Sequence, residues 1–462
     1  MKLTFYGGIN KVTGANYLLE LDSRLRLPAV ATALQAGGND RSRFLVDCGL
    51  EQGGYYSGAS NWRPFPYNPQ EIKAVFITHS HIDHIGKLPR LYKEGFRGKV
   101  FSTLPCRDFA ELLLYDSQHI LSLEAERERK LLLYEEKDIK GLMKLWEGVE
   151  YYQPVRVDDL EAIFYNAGHI LGSAFIKINN IVFSGDLGNS PAPIIGNKDE
   201  LPEADYCLIE AAYGDRIHEN IAERKGEIEN IIGETIKAGG TLMIPAFAME
   251  RTQQLIFEIE DLVESGWIPE TPIFVDSPLA IQLTMVYKKH QKYFTKKVIE
   301  KITPENPLLS FPGLKQTLEK QQSMAINDVP APKVIIAGAG MMQGGRILHH
   351  LKRYLPDPKS ALFIVGYQAE NSLGRKILNG AKKVKIHGKI VSVKCRVKAI
   401  GGYSAHADQP QLLNWLRPQK DVLQKVFVVQ GEAEASIVLA GKIRSELAVS
   451  AEIPRLGRSY EM

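Results

Sequence analysis

Three histidines and an aspartate fall within six positions of this chain, in the run His79-Ser80-His81-Ile82-Asp83-His84. At the end of a strand alternate side chains project the same way, so His79 and His81 can reach one ion together. Asp83 and His84, past a tight turn, can address a second position close by. Imidazole nitrogens and a carboxylate, with no thiolate, suit zinc in an open catalytic site better than in a closed structural one. With only 11 histidines in 462 residues, such a run is hard to read as a chance surface cluster. Gly86 and Pro89 favour a sharp exit into the helix-like segment that follows.

Two ions need more than four ligands. GHILGSA offers His169 after an apolar strand, and FSGDLG offers Asp186 in a similar setting, where a carboxylate can bridge two cations. LVDCG offers Asp47 as a group that orients the attacking water from behind the ligands. Each aspartate taken singly could just make a turn before its glycine; their joint order raises them.

These residues must be delivered by strands. FLVDCG (44–49), AVFITHS (74–80), KVFST (99–103), AIFYNAG (162–168), IVFSGDLG (181–188) and YCLIEAAYG (206–214) each read as an apolar strand ending in a loop, with Asp47, His79, His169, Asp186 and Glu210 at downstream ends. Side chains from several strand ends can converge on one edge of a sheet. The segment 106–149 reads as amphipathic helix, and 20–43, with Pro28, as a surface insertion between two hairpin strands. From about 221 the pattern changes to apolar strands alternating with helices, the signature of a doubly wound parallel α/β domain. Strand-like text returns near 384 with KKVKIHGKIVSVKCRVKAI, then GGYSAHAD, a helix over 409–416 and KVFVVQGE. One α/β domain inserted into another accounts for this order.

Composition narrows the setting. Cys48, Cys106, Cys207 and Cys395 are far apart with no C-x-x-C pair, which argues against disulfides and zinc ribbons and for a reducing compartment. The N-terminal MKLTFYGGIN lacks the apolar core of a signal peptide, and no window reaches bilayer length, so the expected location is cytoplasmic, with no membrane partner. A net charge of +3 is too small to mark a polyanion binder, so any such site must come from local clustering.

Asp47, the H-x-H-x-D-H run, His169 and Asp186, in this order, resemble the metallo-β-lactamase superfamily. Glu210 in LIEAAYGDR, His406 in GGYSAHAD, and the segments PAFAMERTQQL, VDSPLA, AGMMQGGRILHHL and VGYQAENSLGR narrow the resemblance to its β-CASP nuclease group, over nearly the whole chain. It implies an α/β fold, a metallo-β-lactamase αββα sandwich (1–210 and 396–462) with an inserted doubly wound parallel β-CASP domain (211–395). It also implies roles: His79, His81 and His169 on one zinc, Asp83 and His84 on the other, Asp186 bridging, and Asp47 hydrogen-bonded to a bridging hydroxide. Glu210 would hold His406, which would face the scissile phosphate and protonate the leaving oxygen.

Two departures stand out. The group's third motif places a histidine on the second zinc in an H-G-E sequence, where this chain reads VFVVQGE with Gln430. An amide oxygen is a poorer zinc ligand than imidazole, so the second site is expected to be weaker, to lean on water, or to take manganese. Ala339 stands where serine is frequent. The expected substrate is single-stranded RNA, cut internally or from a 5′ end to leave 5′-phosphate and 3′-hydroxyl ends; the glutamine leaves a DNA-directed enzyme open. Candidate substrate contacts, in a cleft between domains, are Tyr213, Arg251, Arg346, Arg375 and the backbone of Gly344 and Gly345 at a helix start. His349 and His350 lie on the same helix. Rival readings are a small-molecule hydrolase of the same superfamily and a scaffold subunit with an impaired site. A homodimer is compatible with the sequence.

Overall fold

The computed structural model describes residues 1–22, 41–52, 60–218, 221–400 and 404–462. The expected insertion at 20–43 therefore falls, from 23 to 40, outside the described residues, as do Gly401 to Tyr403 of the GGYSAHAD motif. The chain divides into two compact units, Met1–Ile217 with His406–Met462, and His218–Ala405.

The first unit is built on two sheets, each with seven strands among the described residues. One runs Ser459–Glu461, Lys2–Phe5, Asn16–Asp22, Arg41–Cys48, Ile72–Phe76, Lys99–Thr103, Trp146–Val149, antiparallel over its first pairings and parallel from Arg41–Cys48 onward. The other runs Ala451–Glu452, Lys425–Val429, Tyr206–Glu210, Ile181–Phe183, Ala174–Ile178, Leu160–Asn166, Pro154–Val157. The period-2 alternation of strand side chains sorts their residues into three cores. Phe44, Val46 and Phe76 meet Phe164, Phe183, Leu208 and Phe427 between the sheets. Leu45, Val75 and Ile77 turn outward under the helix Leu104–Glu128 with its Ala110 and Leu114. Cys207, Ile209, Val426 and Val428 turn outward under the helices Gln409–Leu416 and Ala433–Leu447. The result is helix, sheet, sheet, helix, each layer apolar on the faces it buries.

Two expectations need correction here. The segment 106–149 is not one helix: Leu104–Glu128 stops at Arg129 in the left-handed region (φ 55), and Glu135 opens a second helix, Glu136–Met143, with a capping box to Asp138. The chain then pairs as the edge strand Trp146–Val149. Nor does the first unit resume at 396, because Arg396–Ala399 pairs in parallel with Ala361–Ile364 inside the inserted unit.

That inserted unit carries a six-stranded parallel sheet in the order Leu314–Gln316, Ile273–Asp276, Lys333–Ala337, Thr241–Pro245, Ala361–Ile364, Arg396–Ala399. Helices such as Arg251–Glu264, Pro278–Lys289 and Ile347–Tyr354 connect the strands, as parallel pairing requires. After Thr241–Pro245, Lys333–Ala337 and Ala361–Ile364 the chain reaches Arg251 at a helix start, Gly344 to Arg346 in the loop before Ile347–Tyr354, and Arg375 in the helix Leu373–Leu378. No helix among the described residues is long and apolar enough to cross a membrane.

Within this unit Glu260, on the helix Arg251–Glu264, is buried and accepts the backbone N–H groups of Leu309 (3.3 Å) and Ser310 (2.9 Å). Burial lifts its carboxyl from 4.5 to about 7 despite those bonds. An unfolded chain releases this proton first, so the group favours folding below about pH 4.5 and that contribution fades as pH rises through 7. Glu260→Gln should therefore gain stability over wild type with rising pH, by up to roughly 3 kcal/mol at pH 8 relative to pH 4.5. Paired denaturant titrations at the two pH values check this; parallel curves would place the titrating group elsewhere.

Candidate metal centre

The strand Arg41–Cys48 places Asp47 beside the loop that follows Ile72–Phe76. Asp47 is fully buried in a left-handed conformation (φ 57), which aspartate tolerates better than most residues. Its Oδ1 accepts Thr78 N–H at 2.9 Å and its Oδ2 accepts Thr78 Oγ1–H at 2.8 Å. His84 Nδ1 donates to Oδ2 at 2.8 Å. Thr78 Oγ1, its proton given to Asp47, accepts from His79 Nδ1 at 3.2 Å. These bonds orient the rings of His79 and His84, turning each Nε2 inward. Asp47 thus acts on the site through the histidines it orients.

Three histidines and Asp186 gather at one point. His79 Nε2 lies 3.1 Å from His81 Nδ1, which lies 3.3 Å from His169 Nε2; Asp186 Oδ2 is 3.3 Å from His79 Nε2 and 3.5 Å from His169 Nε2. A tetrahedral zinc with bonds of about 2.0–2.1 Å needs ligand-to-ligand edges of about 3.3 Å, which these distances bracket. Burial, then the neighbouring imidazoles, push the proton affinities of His81 and His169 well down against the pull of Asp186, so both rings present lone pairs. Neutral nitrogens facing one another repel unless a cation sits among them, and the donor set fits zinc.

Close backbone approach makes this possible. A Cβ on Gly49 would sit 1.5 Å from the Asp83 carbonyl oxygen, and one on Gly188 would sit 1.8 Å from the Gly168 oxygen. Ser173 Oγ accepts the N–H groups of His169 and Ile170 at 3.1 Å each, fixing the loop that carries His169.

The second expected position is composed differently. His84 Nε2 lies 3.4 Å from Asp186 Oδ1, but the Asp83 carboxylate joins no three-donor group among the described residues. Gln430 fills the space: its Nε2 lies 2.9 Å from both His84 Nε2 and Asp186 Oδ1. Its expected role as a ligand is thus replaced, in this geometry, by that of a hydrogen-bond donor.

Glu210, fully buried at the end of Tyr206–Glu210, accepts Leu187 N–H at 2.7 Å and lies 3.2 Å from His406 Nδ1. Burial disfavours a charged His406, but Glu210 and Asp186 outweigh it and raise the imidazole to about 10. The His406 ring is 4.6 Å from that of His169 and 5.9 Å from that of Tyr213, over which the Arg216 guanidinium lies. Gly188, bridged to His406, has its carbonyl held by Lys198 Nζ at 2.8 Å. Thr78, Ser173 and Lys198 escaped the sequence reading. Only Thr78, a hydroxyl directly before the histidine run, carried any signal.

The inserted unit's candidates are engaged internally. Arg346 donates to Asp276 Oδ1, Thr317 O and Leu318 O, each at 2.8 Å. Arg251 is buried against Glu250 and Gln254, and Arg375 Nε donates to Gln368 O at 2.8 Å with its guanidinium over Tyr367. Gly345 is left-handed (φ +72), with no room for a Cβ beside the Gly338 oxygen at 2.3 Å. His350 is buried on Asp276 at 2.7 Å, while His349 faces His387.

Residues 38–183 match the metallo-beta-lactamase superfamily domain, 252–377 the Beta-Casp domain, and 390–454 the Zn-dependent metallo-hydrolase RNA specificity domain. Over 462 residues, 99% of both chains, the sequence is 34% identical to ribonuclease TTHA0252 of Thermus thermophilus. The chain belongs to the β-CASP group of the metallo-β-lactamase superfamily. It is also 30% and 31% identical to the transcription termination factor FttA of Methanosarcina mazei and of Methanocaldococcus jannaschii, spanning 66% and 65% of those longer proteins. A solved structure, a protein of unknown function from Enterococcus faecalis, shares the fold with a TM-score of 0.56, 10% identity and 99% coverage of both chains.

In this β-CASP protein Thr78→Val keeps the side-chain shape but leaves a buried Asp47 oxygen and His79 Nδ1 short of a partner. It should lower stability by about 1–3 kcal/mol and weaken zinc binding about 10–100-fold. Denaturant unfolding and competition with a chromogenic chelator measure the two effects; unchanged zinc affinity would show that His79 is oriented without Thr78.

Proposed function

We propose that this chain is a zinc-dependent ribonuclease that hydrolyses phosphodiester bonds of single-stranded RNA. The observation that carries this reading is the placement of a Glu210-held imidazole, His406, 4.6 Å from a ligand ring of a four-donor cluster. A hydrolase for anionic esters needs a cation site and a proton donor side by side, and both are present. Support for RNA over other esters comes from the similarity to ribonuclease TTHA0252 along the full chain and from the match of 390–454 to an RNA specificity domain.

His79 Nε2, His81 Nδ1, His169 Nε2 and Asp186 Oδ2 would hold the zinc. Bound there, zinc would supply Lewis acidity, which would neutralise phosphate charge and, with a water taken up beyond the four protein donors, make hydroxide accessible near neutral pH. The remaining steps belong to protein groups. Glu210 fixes the His406 ring through Nδ1 and favours its protonated form, so Nε2 is the atom that hands a proton to the departing 3′ oxygen. Tyr213, whose ring lies 5.9 Å from that of His406, would pack against a nucleotide. Water as nucleophile makes the RNA 2′-hydroxyl unnecessary and leaves 5′-phosphate ends. The donors at the second position do not fit a second zinc, and no step is assigned to one.

Cleavage of a 5′-labelled single-stranded RNA tests this, beside matched DNA, a lactam and a glutathione thioester. Wild type should cut the RNA in preference and lose activity on chelation. His81→Ala should be inactive through metal loss. His406→Ala should keep its zinc yet turn over about 10²–10⁴-fold more slowly. Equal activity of wild type and His81→Ala would end the metal-hydrolase reading, and preferred thioester or DNA turnover would end the RNA assignment.

A further inference from the structure

We infer that the Gln430 side-chain amide stands in for a second metal ion, leaving a centre that holds one zinc. This rests on the zinc-ribonuclease reading. Gln430 follows the strand Lys425–Val429, is 1% exposed, adopts a left-handed conformation (φ 51) and donates its backbone N–H to Gly8 O at 2.6 Å. Its side-chain nitrogen sits 2.9 Å from both Asp186 Oδ1 and His84 Nε2.

An ionised carboxylate only accepts, so the amide atom facing Asp186 must be the nitrogen and not the carbonyl oxygen. In the neutral ring, with its one proton given to Asp47 through Nδ1, His84 Nε2 accepts as well. The two amide hydrogens are thereby shared between two groups that a second ion would otherwise bind. The amide oxygen in turn accepts from Tyr17 Oη at 3.3 Å, inside the apolar core between the sheets. Gly8 packs against both partners: a Cβ there would lie 2.8 Å from Tyr17 Oη and 3.1 Å from Gln430 Cγ. Without Gln430 the position retains His84 Nε2 and Asp186 Oδ1 as near donors, with the Asp83 carboxylate interacting with both but joining no three-donor group with them among the described residues. The amide satisfies both donors with partial charge, positions Asp186 for the first ion, and makes Gln430 a positioning residue.

Metal content by mass spectrometry after saturation with zinc or manganese tests this on wild type and Gln430→His, with anomalous scattering at the zinc edge. Wild type should saturate at about one equivalent per chain, and Gln430→His at about two, with a second peak beside His84. A wild type that binds two ions, the second on the Gln430 oxygen, would overturn the inference. A wild type that binds none would instead overturn the zinc-ribonuclease reading. If Gln430→His does not fold, the wild-type stoichiometry alone decides.

The inserted unit independently carries a second surface. We propose that the hairpin Lys383–Ile386 with Lys389–Ser392 binds an RNA backbone. Val384, Ile386 and Val391 pin it to the core, while Lys382, Lys383, Lys385, Lys389 and Lys394 are exposed. From Asn371 to Ala407 the sequence has no aspartate or glutamate. The neighbouring strand's cations are paired, Arg396 with Glu234 at 2.6 Å and Lys398 with Glu227, whereas none of these five lysines pairs with a described carboxylate. Unpaired cations held together repel, and a phosphate backbone relieves that repulsion. The exposed Ile390, opposite Lys385, adds an apolar surface for a base.

Binding of a fluorescent single-stranded oligoribonucleotide across salt concentrations tests it with the triple variant Lys383→Ala, Lys385→Ala, Lys389→Ala. The slope of log affinity against log salt should shrink by about 2, while turnover of a dinucleotide stays unchanged. Equal slopes would mean that the lysines only guard a sheet edge against aggregation. If wild type binds no RNA, the ribonuclease reading fails instead.

Discussion

Imidazole nitrogens do not gather with their lone pairs turned toward one another unless something positive lies between them. In water each would keep its own solvent shell; here burial removes that solvent from His79 and His169 and part of it from His81, and the Asp186 carboxylate adds negative charge to the same point. The edge of the sandwich is arranged around that constraint. Asp47 spends its oxygens on Thr78 and His84, and Thr78 passes the restraint to His79, so the rings cannot rotate away from the repulsion. A cation converts the same arrangement from a cost into a binding site, which ties metal affinity to residues that never touch the metal.

Backbone geometry carries part of that cost. Asp47 and Gln430 both lie in the left-handed region, at about 1–2 kcal/mol each for a residue with a Cβ. Gly49 and Gly188 allow approaches that any side chain would block. Such conformations persist where the surroundings over-determine them. The surroundings here are two sheets locked by large rings, with Phe5 packed on Phe427 at 5.2 Å and Tyr17 on Phe183 at 6.2 Å. The packed interior and the strained edge are therefore one design, since loosening the first would release the second.

Much of the site was legible because metal ligands are few in kind and lie at strand ends. Alternating apolar residues marked the strands that end near Asp47, His79, His169, Asp186 and Glu210, and the structure brings these side chains to one edge. Three things were not legible. The break at Arg129 depends on a left-handed stop without a glycine to announce it. Membership of Arg396–Ala399 in the inserted sheet depends on pairing with Ala361–Ile364, which the alternation of Arg396, Val397, Lys398 and Ala399 does not specify. The bonding of Gln430 depends on its side chain lying between Asp186, His84 and Tyr17, partners 244, 346 and 413 positions away in sequence.

Arg346 shows the same limit for charge. In a glycine-rich loop at the carboxyl edge of a parallel sheet, an arginine reads naturally as a phosphate contact. Its guanidinium instead spans Asp276 and two backbone carbonyls. Burial alone would drive Asp276 to its neutral form, but His350, Thr317, Ser323 and Arg346 all bond to it and hold it ionised, well below the usual carboxylate range. A buried carboxylate with that many partners is stable only while each partner stays, because removing one leaves charge uncompensated in a poorly solvated place. Arg346 is thus bound to the sheet by a residue seventy positions earlier. The spacing of the glycines could locate the loop, but only the partner's position could assign the cation beside it.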